Sequence, residues 1–285
     1  MSDQIIERHL YHAEATALGG HLTLPLDQQI HPQAYATLGA DGGYLSQRSE
    51  FFAIEEVMRY ETAYTQVAGN VDTKAGHGWN TLVSSVVEGL NILDVLTADR
   101  VVAQISTDHP RAGYIPTVTF LGTRFEGLRI AGHPVHLDLD VNLVGDRPAN
   151  DAPYIGQSGL MDRVQRQHDR ILGAPDVPAE VASRFKEMTT TTQAGGNQSV
   201  ALECSLVNQA SGGHPGRCFG HVIDVPNFGK IYLAVLRVEE SDYKPGTTTP
   251  RSTTFSLSMI ECKFGCSIAG NASMARAVVN GQGQP

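Results

Sequence analysis

Residues 57–67 read V-M-R-Y-E-T-A-Y-T-Q-V. On an extended chain Met58, Tyr60 and Tyr64 point one way, and Arg59, Glu61 and Thr65 point the other. That period of two is what a half-buried strand requires. It returns at Val101, Ala103 and Ile105, and at Val118 and Phe120. Leu137, Leu139, Val141 and Leu143 alternate with His136, Asp138, Asp140 and Asn142. Residues 230–238 (KIYLAVLRV) are rich in β-branched and aromatic side chains, which suit a pleated surface. Residues 253–268 predict one long strand or a bent pair around Gly265, and residues 273–279 predict a final strand. About ten to twelve strands are expected.

The connections agree with this count. Residues 39–43 (GADGG), Asn227-Phe228-Gly229 and Lys244-Pro245-Gly246 are turn material, because Gly and Asn tolerate positive φ. With 29 glycines and 14 prolines among 285 residues, the pattern predicts a mainly β fold, an antiparallel β-sandwich or barrel. One segment departs from it. Ser158 is placed to cap a helix over 159–172, with Leu160, Val164, Ile171 and Leu172 at helical spacing and Gly173 at its end. Pro178 starts a second short helix through about Met188, striped by Val181, Phe185 and Met188. The polar run 189–197 (TTTTQAGGN) reads as a loop. The β fold therefore carries a two-helix insertion near residues 158–188, too small to bury a core alone. The expected organisation is a single β-rich domain over 1–285. The alternative is two β lobes, 1–150 and 195–285, joined by the helical segment 151–194. Residues 87–93 (VEGLNIL) and 125–131 (FEGLRIA) share an E-G-L-x-I step, as two equivalent hairpins would.

Twenty-one basic against thirty acidic residues give a formal charge of −9. That sign disfavours nucleic acids and anionic membrane surfaces as partners, since no basic field attracts them. A hydrophobic content of 41% excludes a disordered chain. Residues 1–20 lack the basic start and apolar stretch of a signal peptide, and no window of about 18 apolar residues predicts a membrane span. A soluble chain is expected, its compartment unassigned. Cys204, Cys218, Cys262 and Cys266 lack the short paired spacing of zinc sites, so buried free thiols are expected.

Signatures of nucleophilic and nucleotide chemistry are missing from the sequence: no G-x-S-x-G elbow, no P-loop, no H-E-x-x-H. The segment Gly156-Gln157-Ser158-Gly159 reads as a helix start. Of the eleven histidines, His136 has the most chemical setting. His136 and Asp138 share a strand face, and His221 would complete a facial set for a metal, so the cofactor expected is none or a single divalent metal. The simpler reading is a solvated polar face that continues through Asp140 and Asn142. His77 and Trp79, in Gly76-His77-Gly78-Trp79, form a candidate ligand-binding pair, with glycines for close approach and a flat indole for stacking. The competing reading is a turn whose Trp plugs the core. Glu55-Glu56 and Glu239-Glu240 are paired acids, read as solvated edges. The functional expectation is a non-enzymatic sandwich or barrel, a structural, coat or binding protein, acting by self-association as a homo-oligomer or by binding a small-molecule ligand. One alternative is a mononuclear metal enzyme using His136, Asp138 and His221. Another is a barrel for a small hydrophobic ligand, with the helical pair as lid and Trp79 at the mouth.

Overall fold

The computed structural model describes residues 9–25, 27–73, 78–111, 115–194, 197–241, 252–265 and 268–283. In chain order the elements are β1 (His9–Leu24), β2 (Gln28–Gln33), β3 (Ala36–Thr37), β4 (Gly43–Ser49), β5 (Phe52–Ile54), β6 (Met58–Tyr60), β7 (Thr62–Val71), β8 (Trp79–Ile92), β9 (Leu96–His109), β10 (Thr117–Thr119), β11 (Arg124–Glu126), β12 (Arg129–Ile130), β13 (His133–Leu139), α1 (Ser158–Leu172), α2 (Ala179–Phe185), β14 (Thr189–Ala194), β15 (Asn197–Ser205), β16 (Val207–Gly212), β17 (Arg217–Phe219), β18 (Val222–Val225), β19 (Gly229–Ser241), β20 (Ser252–Gly265) and β21 (Ala269–Gly283). They form two antiparallel sheets, one of ten strands and one of eleven. The first has the order β14-β15-β19-β20-β21-β1-β2, and the second β16-β13-β12-β9-β8-β6-β5, with β7 beside β8 and β4 beside β7. Strands β1, β20 and β21 lie over β7, β8 and β9, so the fold is a sandwich. Both sheets keep open edges among the described residues, which distinguishes it from a closed barrel.

The two halves of the chain exchange strands. β1 sits between β21 and β2, and β16 pairs with β13. Neither sheet is built from 1–150 or from 195–285 alone.

The shared E-G-L-x-I step has a structural counterpart. Glu88 and Glu126 both stand opposite Arg100, Asn91 and Arg129 opposite Thr97, and Ile92 and Ile130 opposite Leu96. The two segments thus flank β9 in one register. Ile54, Ile92 and Ile130, spaced 38 residues apart, are each buried and each precede a residue with positive φ: Glu55 at 45°, Leu93 at 53° and Ala131 at 50°. Leu93 N–H donates to Val57 O at 2.9 Å, and Ala131 N–H donates to Val95 O at 2.7 Å. Three turns of one design line a rim of this sheet.

A crease crosses each sheet. Glu61, Gly89, Asp99 and Gly127 fall in one row, with Gly89 and Gly127 at φ of 65° and 63°. On either side of the row the buried positions change parity, from Val87 to Leu90 on β8 and from Ala98 to Val101 on β9. This corrects the expectation for 57–67. Met58 and Tyr60 are buried, but beyond Glu61 the inward residues are Ala63, Thr65 and Val67, and Tyr64 is only half-buried. In the other sheet Ala17, Ala275, Met259 and Ala234 make the row, with Ala234 and Ala275 at φ of 45° and 48°. Inward faces shift there from Ala15 to Leu18, from Leu257 to Ile260, from Met274 to Ala277 and from Leu233 to Leu236.

Three further expectations need correction. Residues 189–194 are strand β14, hairpinned onto β15, because β-branched threonines fit the ladder running from Thr189↔Leu202 to Ala194↔Asn197. Ser158 is the first helical residue, with Gln157 at the cap position and no side-chain cap bond, and α2 ends at Phe185. Glu240 is buried, and its carboxylate accepts a hydrogen bond from the Tyr154 N–H at 2.6 Å. The turn at 244–246 lies outside the described residues.

Candidate functional site

The helices cover part of the outer face of the first sheet. Ile171, Val181 and Phe185 pack on Phe219, Val222, Tyr232 and Val235, a satellite cluster separate from the main core. This apolar contact positions α2, and α2 positions Arg184. The Arg184 guanidinium lies 4.1 Å from the centre of the Tyr232 ring. It donates to Glu203 at 2.5 Å and to Glu261 at 2.8 Å. Arg237 contacts the same two carboxylates, at 2.9 Å and 3.0 Å. Two arginines and two glutamates thus close a ring across β15, β19, β20 and α2. Next to it, Glu180 of α2 bridges Lys230 and Lys263.

The electrostatics follow from this geometry. Burial pushes the Glu203 carboxyl up, but Arg184 and Arg237 outweigh it and hold the group below the ordinary carboxylate range. Burial works against the charge on Arg184, yet Glu203 and Glu261 raise its pKa overall. Glu180 is lowered by its bonds to Lys230 and Lys263. Burial raises the Tyr232 phenol.

Beside the ring lies a groove of about 720 Å³. One row of its floor runs Gly19, Ser273, Glu261 and Tyr232 across four adjacent strands. The neighbouring row contributes Thr16 and Arg276, and Pro32 of β2 closes the far side. Glycine is needed at position 20, where a Cβ would collide with the Asn271 and Ala272 backbone. At Gly19 a Cβ would meet nothing closer than 3.8 Å, so the missing side chain is what keeps that end open. The lining carries Arg184, Arg237, Arg276 and Lys263 against the single acid Glu261. Arg276 has no ion pair among the described residues; its Nε reaches Ser256 Oγ at 3.4 Å. A guanidinium left uncommitted at the side of a groove offers a bidentate fork to a carboxylate or phosphate.

The structure places the sequence-based candidates elsewhere. His136 and Asp138 are exposed on β13, and Asp138 accepts from the Asn208 amide at 2.9 Å. His221 is buried in the turn before β18, its ring 5.2 Å from Phe185. Among the described residues, which include all three, no group of three or more His, Cys, Asp and Glu side chains is arranged to hold a metal ion. Trp79 opens β8 half-buried and stacks on His9 with ring centres 5.0 Å apart, away from the groove. His77 lies outside the described residues. Of the helical pair expected as a lid, α2 does reach the groove through Arg184. The groove residues escaped sequence reading because they come from positions as far apart as Thr16 and Arg276. The available signal was Tyr232 and Arg237, polar-tipped outward positions in the otherwise apolar run 231–238.

A two-sheet antiparallel sandwich, capped by two helices and grooved on its outer face, is the class of protein these features define. The chain belongs to the family described as Domain of unknown function (DUF8256), which matches residues 9–239. No match was found among curated proteins or among solved structures. No helix of the described residues is long and apolar enough to cross a membrane.

Proposed function

We propose that the protein is a non-enzymatic binding protein whose outer groove takes a small organic anion. One observation carries the reading. In a chain with a formal charge of −9, three arginines and a lysine line the groove against one glutamate. Arg276 is the anchor, since Arg184 and Arg237 are already shared by Glu203 and Glu261. Calorimetric titration with citrate, glucuronate and glucose 6-phosphate at low salt tests it. At least one probe is expected to bind, and Arg276→Gln is expected to weaken it about 10–100-fold, the value of a charge-assisted contact. Gly19→Leu is expected to plug the groove while leaving the melting curve in place. Binding of none of the three probes, or unchanged affinity in both variants, rejects the reading.

A second reading is self-association through β4. This strand pairs only with β7 among the described residues, carries no acidic residue, and exposes Tyr44 beside Leu45. A free edge whose only charged side chain is Arg48 can pair antiparallel with its own copy. Light scattering is expected to show a dimer that Leu45→Lys dissociates. A monomer at high concentration excludes it.

A further inference from the structure

The inward faces of both sheets change character toward one end. Along β9 they read Val101, Ala103, Ile105, Thr107 and His109, and along β8, in the same direction, Val87, Ser85, Val83, Thr81 and Trp79. In the opposite sheet Phe255 gives way to Thr253, and Ala13 to Tyr11 and His9. The ends meet. The His9 ring lies 4.6 Å from that of His109 and 4.6 Å from that of Tyr11, centre to centre. Thr81 faces Thr107 across the ladder, and Trp79 faces His109.

Two hydroxyls nearer the middle of the interior are bonded within the protein: Thr65 donates to Ala34 O at 2.6 Å, and Ser85 donates to Thr16 O at 2.9 Å. The end is different. Both ring nitrogens of His109 and the hydroxyls of Thr81, Thr107, Thr253 and Tyr11 are buried without a hydrogen-bond partner among the described residues. His109 is 1% exposed. A buried hydroxyl or imidazole left unbonded costs free energy, and native interiors meet that cost by bonding such groups within the protein or, where no protein partner is in reach, to a buried water. The unbonded set is uncharged and mixes donors with acceptors, because a neutral imidazole has one of each and every hydroxyl has both.

We propose that this polar end of the sandwich interior is a second binding site, which takes a small uncharged hydroxylic molecule, water or a short polyol, between His109, Thr81 and Thr107. Trp79 and His9 form its aromatic wall. The site is independent of the outer groove.

Isosteric variants test it by sign. Thr107→Val and Thr81→Val keep the shape of the side chain and remove its hydroxyl. If the hydroxyls hold a guest, each variant is expected to lower the melting temperature by roughly 2–4 °C. If they are unbonded, each variant raises it, because an unsatisfied buried group has been removed, and that outcome overturns the proposal. Crystals grown with and without glycerol separate the two guests. Density within hydrogen-bonding distance of His109 and both threonines is expected in each. A guest of water size in both crystals identifies water, and a larger guest confined to the glycerol crystals identifies a polyol. Absence of density in both overturns the site.

Discussion

Arg184 and Tyr232 tie the helical insertion to β19 of the first sheet, guanidinium over ring at 4.1 Å. The contact is partly shielded from water, so it exceeds an exposed pair in value. Arg184→Met keeps the stem and removes the charge, leaving Glu203 and Glu261 to share Arg237. A destabilisation of about 1–3 kcal/mol is expected. Tyr232→Leu should also destabilise, and the double variant should fall short of the sum by about 0.5–2 kcal/mol. Urea midpoints of the four proteins give the coupling; strict additivity would contradict the contact.

Stability should decline toward acid through groups whose protonation the fold opposes. Burial depresses the pKa of His109 and of His221 from 6.5 to about 3. Because the folded values lie below the unfolded ones, their contribution is fully present above about pH 6.5 and is lost as pH falls toward 3. Glu203, also depressed, adds loss of the same sign below the ordinary carboxylate range. The urea midpoint should therefore drop between about pH 7 and about pH 4.5. His221→Phe should narrow that drop. An unchanged gap would mean that His221 does not titrate with unfolding.

Thiol reactivity should separate the cysteines. Cys204 and Cys262 are buried, and burial pushes both thiols far up, whereas Cys218 is exposed with its sulfur 3.5 Å from His214 Nε2. In a Cys266→Ser background, a chromogenic disulfide reagent should titrate one thiol in the native protein and two more after unfolding. Three rapid equivalents without denaturant would show that the core is open.

The second-sheet crease can be probed at glycine. Gly127 has φ of 63°, and a Cβ there would run into the Asp99 carboxylate; Gly132 has φ of 79° but open space around it. Gly132→Ala should cost about 1 kcal/mol from backbone strain alone. Gly127→Ala should cost more, since strain and collision add. Thermal unfolding of the two variants orders them, and the reverse order would argue against the crease geometry.

Period-two alternation made the sandwich legible, because it depends only on neighbours along the chain. The helical insertion was legible for the same reason, through Leu160, Val164 and Ile171. The crease was not. Ala17, Met259, Ala234 and Ala275 carry no local signal, and their row exists only once four strands are aligned. The same lack of alignment hid the turn from Tyr60 to Ala63, where reading straight through Glu61 placed Tyr64 on the wrong face. Strand β14 was misread because threonine and glutamine suit loops and edge strands alike. The groove was invisible for a further reason: Arg184, Arg237 and Arg276 stand far apart in sequence, and charge composition alone reported only the acidic sum.

The aligned alanine row also sets how the chain tolerates change in length. Because four neighbouring strands reverse their facing at the same level, losing one residue from β21 above that level would turn Met274 and Ala272 inside out while β1 and β20 kept their places. Insertions and deletions in this sheet can then survive only at its hairpin tips, so natural length variation should gather there.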